Sequence, residues 1–363
     1  MDKMRFSILP VSEINAREWN DFLITSSEST YFTTTEHWQT ISESYILLVR
    51  NLDNKLIGGI PFGIQRMVPN IKFFFTFCRV DSSALVTSSF DSDDSYNIKK
   101  FIFLSLIKFL KQKKVLFLHV SSFTRSNDYL LFKELGFKNE KCATLVIDLG
   151  KDVNEIFRSF TKGNKSSIQK AIKLGVKIKI FEGESALTHL GDYCLLQDSL
   201  FEKKRKTYSR IYYKSESFLS KVLSSRFNKS FLALAFYEGQ PAAGAIILTY
   251  KRGAYYFHGA SDYQRIKTSQ ASNLLQFEII KYAGGLGFNY YDLGGIPFCS
   301  DPSISTHGVY MFKKSFGGAR HEYDIGTYVF NKYLYSIIIR LMKYQDHPVV
   351  HFLYKLLIGN QSK

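Results

Sequence analysis

Cysteine is scarce in this 363-residue chain: Cys78, Cys142, Cys194 and Cys299 are scattered, with no pair at CxxC spacing. That scatter signals no disulfide framework, and the lack of any His-Cys cluster at ligand spacing signals no zinc site. The expectation is a reducing cytoplasm, no metal and no tightly bound cofactor. Two further absences point the same way: no basic-then-apolar leader opens the chain, and no run reaches the roughly 18 apolar residues a membrane span needs. A soluble, unexported protein is expected. No Ser-His-Asp or Cys-His constellation stands out either, so a covalent acyl-enzyme is not expected. Acidic residues are outnumbered, 32 against 48 Lys and Arg, and the net charge of +16 attracts phosphate on RNA, nucleotides or anionic lipids.

What is present describes a globular protein of two domains. The length exceeds one ordinary core, and 32 Phe with 23 Tyr supply large surfaces for packing or stacking. The chain repeats one plan at an offset of roughly 180 residues. YILLVRNLDNKLIGGIPFGIQ and FLALAFYEGQPAAGAIILTY each read as two apolar strands around a polar turn, the second turn at Glu238-Gly239. KKFIFLSLIKFLKQKKVLFLHV and SNLLQFEIIKYAGGLGFNYYDLGG each read as a helix feeding a short buried strand. LFKELGF (131 to 137) then matches MFKKSFGG (311 to 318), with Phe132-Lys133 mirroring Phe312-Lys313. The fold class is α/β, or α+β, with mixed sheets flanked by helices. Between the halves, DVNEIFRSFTKGNKSSIQKAIKLGVKIKIFEG predicts two helical turns, a basic helix ending at Gly175 and a strand from Val176. TSSFDSDDSYN (87 to 97) reads as an exposed acidic loop.

Several motifs, in order along nearly the whole chain, carry a resemblance: YFTTTEHW, SFTKGNKSSIQKAIKLGVKIKI, AYYFHGASD, the helix before YDLGG, and GVYMFKKSFGG. The chain resembles the Fem family of peptidoglycan bridge-forming aminoacyltransferases, built from two GNAT acetyltransferase-fold domains. The resemblance implies a first domain over 1–147, completed by a C-terminal segment 318–363, and a second over 148–317. It implies transfer of an amino acid from an aminoacyl-tRNA ester to an amine of a nucleotide- or lipid-linked cell-envelope precursor.

In the family the lysine of the Phe-Lys pair is the proposed catalytic group, which carries over to Lys313 beside Phe312. The physics suits it, since an amine attacking an ester carbonyl develops an oxyanion that a fixed cation stabilises. Read as a strand end, the segment sends Lys313 and Lys314 to opposite faces, one into a cleft and one to solvent. Asp292 of YDLGG is the candidate base for the amine proton, with Asp262 of FHGASD behind it; each is also a plausible turn cap. His258, His307 and His321 fall beside the same motifs and read as partly buried strand residues. Lys162, Lys165, Lys170 and Lys173 can follow a tRNA backbone, or form a solvated helix face. Lys203, Lys204, Arg205, Lys206 and Arg210 form a second basic cluster ahead of Tyr212-Tyr213. The family's phosphate-binding arginine precedes a tyrosine pair, which Arg205 and Arg210 both fit, with Tyr213 beside them.

Two departures bear on substrate. The lysine that family members carry just after the first-domain aromatic is missing from HWQTISES, and so is the long helical hairpin of the staphylococcal members. Acetyl-CoA enzymes of the GNAT fold cradle pyrophosphate with a glycine-rich turn, whereas YQRIKTSQASNLL (263 to 275) has no glycine and offers Arg265, Thr268, Ser269 and Ser272 instead. That favours aminoacyl-tRNA over acetyl-CoA as donor. The rivals are an acetyl-CoA-dependent N-acetyltransferase acting on an amino sugar in polysaccharide biosynthesis, and a binding protein whose fold has lost its chemistry. The tail FNKYLYSIIIRLMKYQDHPVVHFLYKLLIG mixes apolar and basic residues at helical spacing. It reads either as two helices packed on the first domain or as a peripheral contact with an anionic membrane surface through Lys332, Lys343 and Lys355.

Overall fold

The computed structural model describes residues 4–66, 76–122, 128–203, 214–224, 230–296 and 307–343. Contacts divide the chain into two units, Met1–Lys141 with Tyr323–Lys363, and Cys142–Glu322.

The first unit opens with β1 (Arg5–Pro10), α1 (Ala16–Thr25) and α2 (Thr35–Gln39), followed by β2 (Ser44–Arg50), β3 (Leu56–Arg66), β4 (Thr76–Val80) and the short β5 (Leu85–Val86). Then come α3 (Ser92–Gln112), β6 (Phe117–Ser121) and α4 (Tyr129–Glu134), and β7 (Lys138–Asp148) carries the chain into the second unit. Part of the expected acidic loop is the start of α3. The Asp91 side chain accepts the Asp94 N–H, and Asp93 and Asp94 occupy the first turn, where the helix dipole favours negative charge. Charge that looked like loop composition is helix-start chemistry.

The second unit continues with α5 (Val153–Ser159), α6 (Lys162–Lys173), β8 (Lys177–Glu182), α7 (Gly183–Thr188), α8 (Leu190–Lys203) and α9 (Glu216–Leu223). Its hairpin is β9 (Phe231–Tyr237) and β10 (Gln240–Tyr250), joined by Glu238 and Gly239 at φ of 52° and 75°. Two positive values give the turn a twist that matches paired strands. β11 (Gly253–Ser261), α10 (Tyr263–Ser269), α11 (Ala271–Gly285), β12 (Tyr290–Ile296) and α12 (His307–Lys314) complete the run. β13 (Ala319–Val329) carries the chain back to the first unit, where α13 (Lys332–Lys343) follows.

Both units use one strand plan. In the first the order is β1-β2-β3-β4-β6-β13, with β5 beside β3; in the second it is β8-β9-β10-β11-β12-β7. Among these, one pair per sheet is parallel, β4 with β6 and β11 with β12. In the second unit that pairing stops at Tyr255 opposite Asp292, although β11 runs on to Ser261 and β12 to Ile296. The two strands part there and open a gap in the sheet. One face of this sheet presents Ala233, Ala235, Ala243, Ala245 and Ile247 to a core shared with Ile156 and Phe160, Ile168 and Ala171 of α6, and Ile279 and Ala283 of α11. Small side chains on the strands let the helices sit close. The opposite face meets α8: a Cβ at Gly244 would lie 2.8 Å from the Tyr193 ring.

Candidate active site around Lys313

GVYMFKK forms a helix, not the strand end expected from sequence: α12 runs from His307 to Lys314. For so short an apolar segment the two periods are hard to tell apart. Its last turn separates the two lysines by angle along a helix. Lys313 is 8% exposed, while Lys314 is exposed and lies over the Tyr310 ring. Phe312 packs edge-on against Phe316, 5.2 Å between centroids, which seats α12 on the core.

Lys313 Nζ donates to the Gly295 carbonyl at 2.9 Å and faces the Tyr256 ring at 6.0 Å. Burial pushes its pKa down from 10.5 to about 8, with the Asp292 carboxylate pulling the other way. Asp292 sits on β12 where β12 slips against β7 in a bulge between Asp292 and Gly295. Its Oδ1 accepts both the Thr144 hydroxyl and, at 2.7 Å, the Gly294 N–H. Gly294 is needed at φ of 77°, a left-handed conformation that costs other residues strain. Burial raises the Asp292 pKa, opposed by Thr144, Gly294, Lys313 and His321. A buried cation and a half-buried carboxylate therefore share the gap where β11 and β12 part.

Residues distant in sequence hold α12 in place. The Ser315 carbonyl, just past the helix, accepts the Thr161 N–H at 3.0 Å and the Asn164 side-chain amide at 3.1 Å. Asn164 Oδ1 in turn accepts from Asn273 of α11 at 2.8 Å. Gly317, at φ of 72°, ends the turn beside Ser159, whose Oγ would lie 2.9 Å from any Cβ there. The TKGN stretch thus serves this site through its threonine and asparagine, a role the sequence reading, drawn to its lysines, did not see.

The other sequence candidates are dispersed. Lys162, Lys165, Lys170 and Lys173 lie on α6, with Lys165 Nζ donating to the Arg158 carbonyl. Asp262 caps α10 by accepting the Arg265 N–H, and its second oxygen pairs with the Arg265 guanidinium at 2.9 Å. Arg265 is thereby engaged at the helix start. Gln270 takes φ of 57° between α10 and α11, and the first N–H of α11, from Ala271, already meets Ser269 Oγ at 3.3 Å. His258 Nδ1 lies 2.5 Å from the Tyr193 hydroxyl. His307 opens α12, with Nδ1 buried and without a hydrogen-bond partner among the described residues. Arg205, Arg210, Tyr212 and Tyr213, with Lys204 and Lys206, lie outside the described residues, as does Lys355. Among the described residues there is no cluster of three metal-ligating side chains, and no helix is long and apolar enough to cross a membrane.

Two sheets of one plan, each with a single parallel pair beside its helices, define a tandem GNAT-fold protein. A solved FemX structure superposes with a TM-score of 0.66 at 16% identity, covering 92% of this chain and 99% of that one. A tandem GNAT protein of the clavulanic acid biosynthesis pathway gives 0.57 at 10% identity, covering 90% and 98%. Residues 202–343 match the FemAB family model. That match spans less than half of the chain, and a distant curated relative is similar over a longer stretch. That relative, the lipid II:glycine glycyltransferase of Staphylococcus epidermidis, is 25% identical over 272 residues, a match covering 57% of this chain and 64% of the relative's length. The Staphylococcus aureus counterpart is 32% identical over a 103-residue stretch, 28% of this chain and 24% of that protein.

Proposed function

We propose that the protein is an N-acyltransferase that moves an amino acid from an aminoacyl-tRNA ester to an amine of a peptidoglycan-type cell-envelope precursor. The observation carrying this reading is Lys313, a buried cation in the gap between β11 and β12 with Asp292 beside it. As the acceptor amine adds to the ester carbonyl, charge collects on the carbonyl oxygen. A desolvated ammonium already in place stabilises that charge without reorganising. Asp292 acts as the counter-charge that keeps Lys313 protonated near neutrality, its Oδ1 being occupied by Thr144 and Gly294.

Donor choice follows from α11. Its first N–H is capped by Ser269, and no glycine lets a pyrophosphate approach the backbone closely, which favours aminoacyl-tRNA over acetyl-CoA. The basic face of α6 suits a nucleic-acid backbone. Because the curated relatives are named for lipid II, we place the reaction at the cytoplasmic side of the membrane, with a lipid-linked acceptor as the first candidate. α13 presents Lys332 and an 80%-exposed Tyr333, side chains suited to a peripheral contact with anionic headgroups.

A paired transfer assay tests the reading. The purified protein receives tRNA charged with labelled amino acids, or labelled acetyl-CoA, each with extracted envelope precursors. Label passing from tRNA into precursor is expected; label passing only from acetyl-CoA would reassign the donor. In the same assay Lys313→Ala should lower turnover about 10²- to 10³-fold, the loss typical of one oxyanion donor. Near-normal turnover by a folded Lys313→Ala protein would remove the lysine from the chemistry.

A further inference from the structure

β11 carries an irregularity just past the point where it leaves β12. Ile247 of β10 pairs with Tyr256, Ile246 with His258 and Ala245 with Gly259, so Phe257 is an extra, bulged residue. In a plain strand Tyr256 and Gly259, three positions apart, would face opposite ways. The bulge brings both to the face of Ala245 and Ile247, which is the core face. The Tyr256 side chain lies along the strand toward Gly259: a Cβ there would run into its hydroxyl and stand 2.7 Å from the ring carbon that bears it. Tyr256 therefore lines the stretch of β11 that β12 has left, with Lys313 Nζ 6.0 Å from its ring centre. Gly294 bounds the gap from the β12 side, where a Cβ would lie 3.4 Å from both Lys313 Nζ and the Tyr256 carbonyl.

Buried tyrosine hydroxyls ordinarily find a partner. Tyr255 and Tyr290 bind each other at 2.7 Å, Tyr291 donates to Gln276 at 2.8 Å, and Tyr193 meets His258. The hydroxyl of half-buried Tyr256 makes no hydrogen bond among the described residues. A hydroxyl left open beside the cation of the site is placed for a substrate atom.

We propose that the Tyr256 hydroxyl is the acid that protonates the departing alcohol oxygen of the acyl ester, and that the phenolate so formed takes the proton shed by the new amide nitrogen. This role rests on the acyl-transfer reading above. The neutral amine forms the C–N bond, and the carbonyl electron pair moves onto oxygen beside Lys313. As the pair returns, the ester C–O bond breaks and its electrons take the phenolic proton. The nitrogen then gives its surplus proton to the phenolate, which restores Tyr256. Ester plus amine becomes amide plus alcohol with no other reactant.

The surroundings suit both halves of the cycle. Burial pushes the Tyr256 pKa up to about 12, so the hydroxyl holds its proton at neutral pH and is ready to give it. The Lys313 ammonium at the ring face steadies the phenolate for the moment that it exists. A phenol can donate and accept through one oxygen, so no second titrating group is needed.

The experiment is single-turnover transfer by the full chain, from tRNA charged with a labelled amino acid to extracted envelope precursors, run in water and in deuterium oxide. Wild type should slow in deuterium oxide. Tyr256→Phe should lower the transfer step about 10²- to 10⁴-fold, leave donor affinity unchanged and lose the solvent effect. Phenylalanine keeps the ring over Gly259 and beside Lys313, so a packing role predicts the wild-type rate. Tyr256→Phe at wild-type rate, or slowed with the solvent effect intact, overturns the proposal while leaving acyl transfer standing. Label passing only from acetyl-CoA overturns it as well, because no alcohol then departs. Wild type that transfers from neither donor overturns the acyl-transfer reading and this role with it. Should Tyr256→Phe unfold, the wild-type measurement still decides, since a transfer step of equal rate in both solvents has no proton in flight.

Discussion

The same short helix ends differently in the two units. Each end turns on a left-handed glycine, Gly136 after α4 at φ of 79° and Gly317 after α12 at φ of 72°, and each glycine N–H returns to the carbonyl three residues back. Aligned on these glycines, Phe132 falls on Lys313, and Lys133 on Lys314. The pairing suggested by sequence, Phe132-Lys133 with Phe312-Lys313, is therefore one residue out. Burial agrees with the corrected register: Phe132 and Lys313 are both buried, and Lys133 and Lys314 are both exposed.

The neighbouring strands repeat the contrast. Left-handed Lys114 and Gly287 close α3 and α11, so His119 of β6 corresponds to Asp292 of β12. In the first unit, phenylalanine packs against Phe103 and Phe137, and His119 faces Thr327. In the second, a lysine and an aspartate take those places. The first unit shows that this architecture is satisfied by an apolar side chain, so the buried lysine of the second serves something other than folding.

Reversing the exchange in the first unit has the largest expected effect. Phe132→Lys places an ammonium among aromatic rings, and we expect a loss of about 3 to 5 kcal/mol in denaturant unfolding. A loss under about 1 kcal/mol would mean that the two helix ends are not equivalent environments.

Much of this contrast was hidden in the sequence for identifiable reasons. The hairpins β2-β3 and β9-β10, the helix-strand pairs α3-β6 and α11-β12, and α6 ending before Gly175 all announce themselves by local period and turn chemistry. α12 does not, because its apolar residues fit a strand as well as a helix. The one-residue slip arose because the shared Phe-Lys dipeptide sets 132-133 opposite 312-313, which leaves Gly136 opposite Phe316 and not Gly317. Asn164 reaches Ser315 across 151 positions, Thr144 reaches Asp292 across 148 and Tyr193 reaches His258 across 65, and no local pattern encodes such pairs.

Importing the apolar solution into the second unit should stabilise it. Below about pH 8 Lys313 is charged in both folded and unfolded chains, and the folded state bears the full desolvation penalty. Between about 8 and 10.5 the unfolded chain holds the proton that the folded one has released, so wild-type stability rises with pH. At about 1.4 kcal/mol per pKa unit, the ceiling on the penalty is about 3 kcal/mol. Lys313→Met should therefore be the more stable protein at pH 7, by up to about that amount less the lost hydrogen bond to Gly295, and its advantage should shrink toward pH 10.5. Chemical denaturation at both pH values checks it. An advantage that does not fall with pH would show that packing, not charge, is responsible.

The subtlest test separates the lysine from the aspartate beside it. Asp292→Asn keeps an oxygen to accept from Thr144 and Gly294 but removes the attraction that opposes the desolvation of Lys313. Lys313 should then lose its proton at lower pH, and under the proposed role, in which its charged form steadies the oxyanion, the alkaline limb expected near pH 8 for the wild type should move down. Among the described residues His321 also lowers the Asp292 pKa, and that influence disappears with the carboxylate. A limb that stays in place, with rate merely scaled down, would mean that Asp292 acts through β12 geometry alone. In that case Asp292 and His119 would differ in side-chain chemistry while sharing the one task of bracing a parallel strand end.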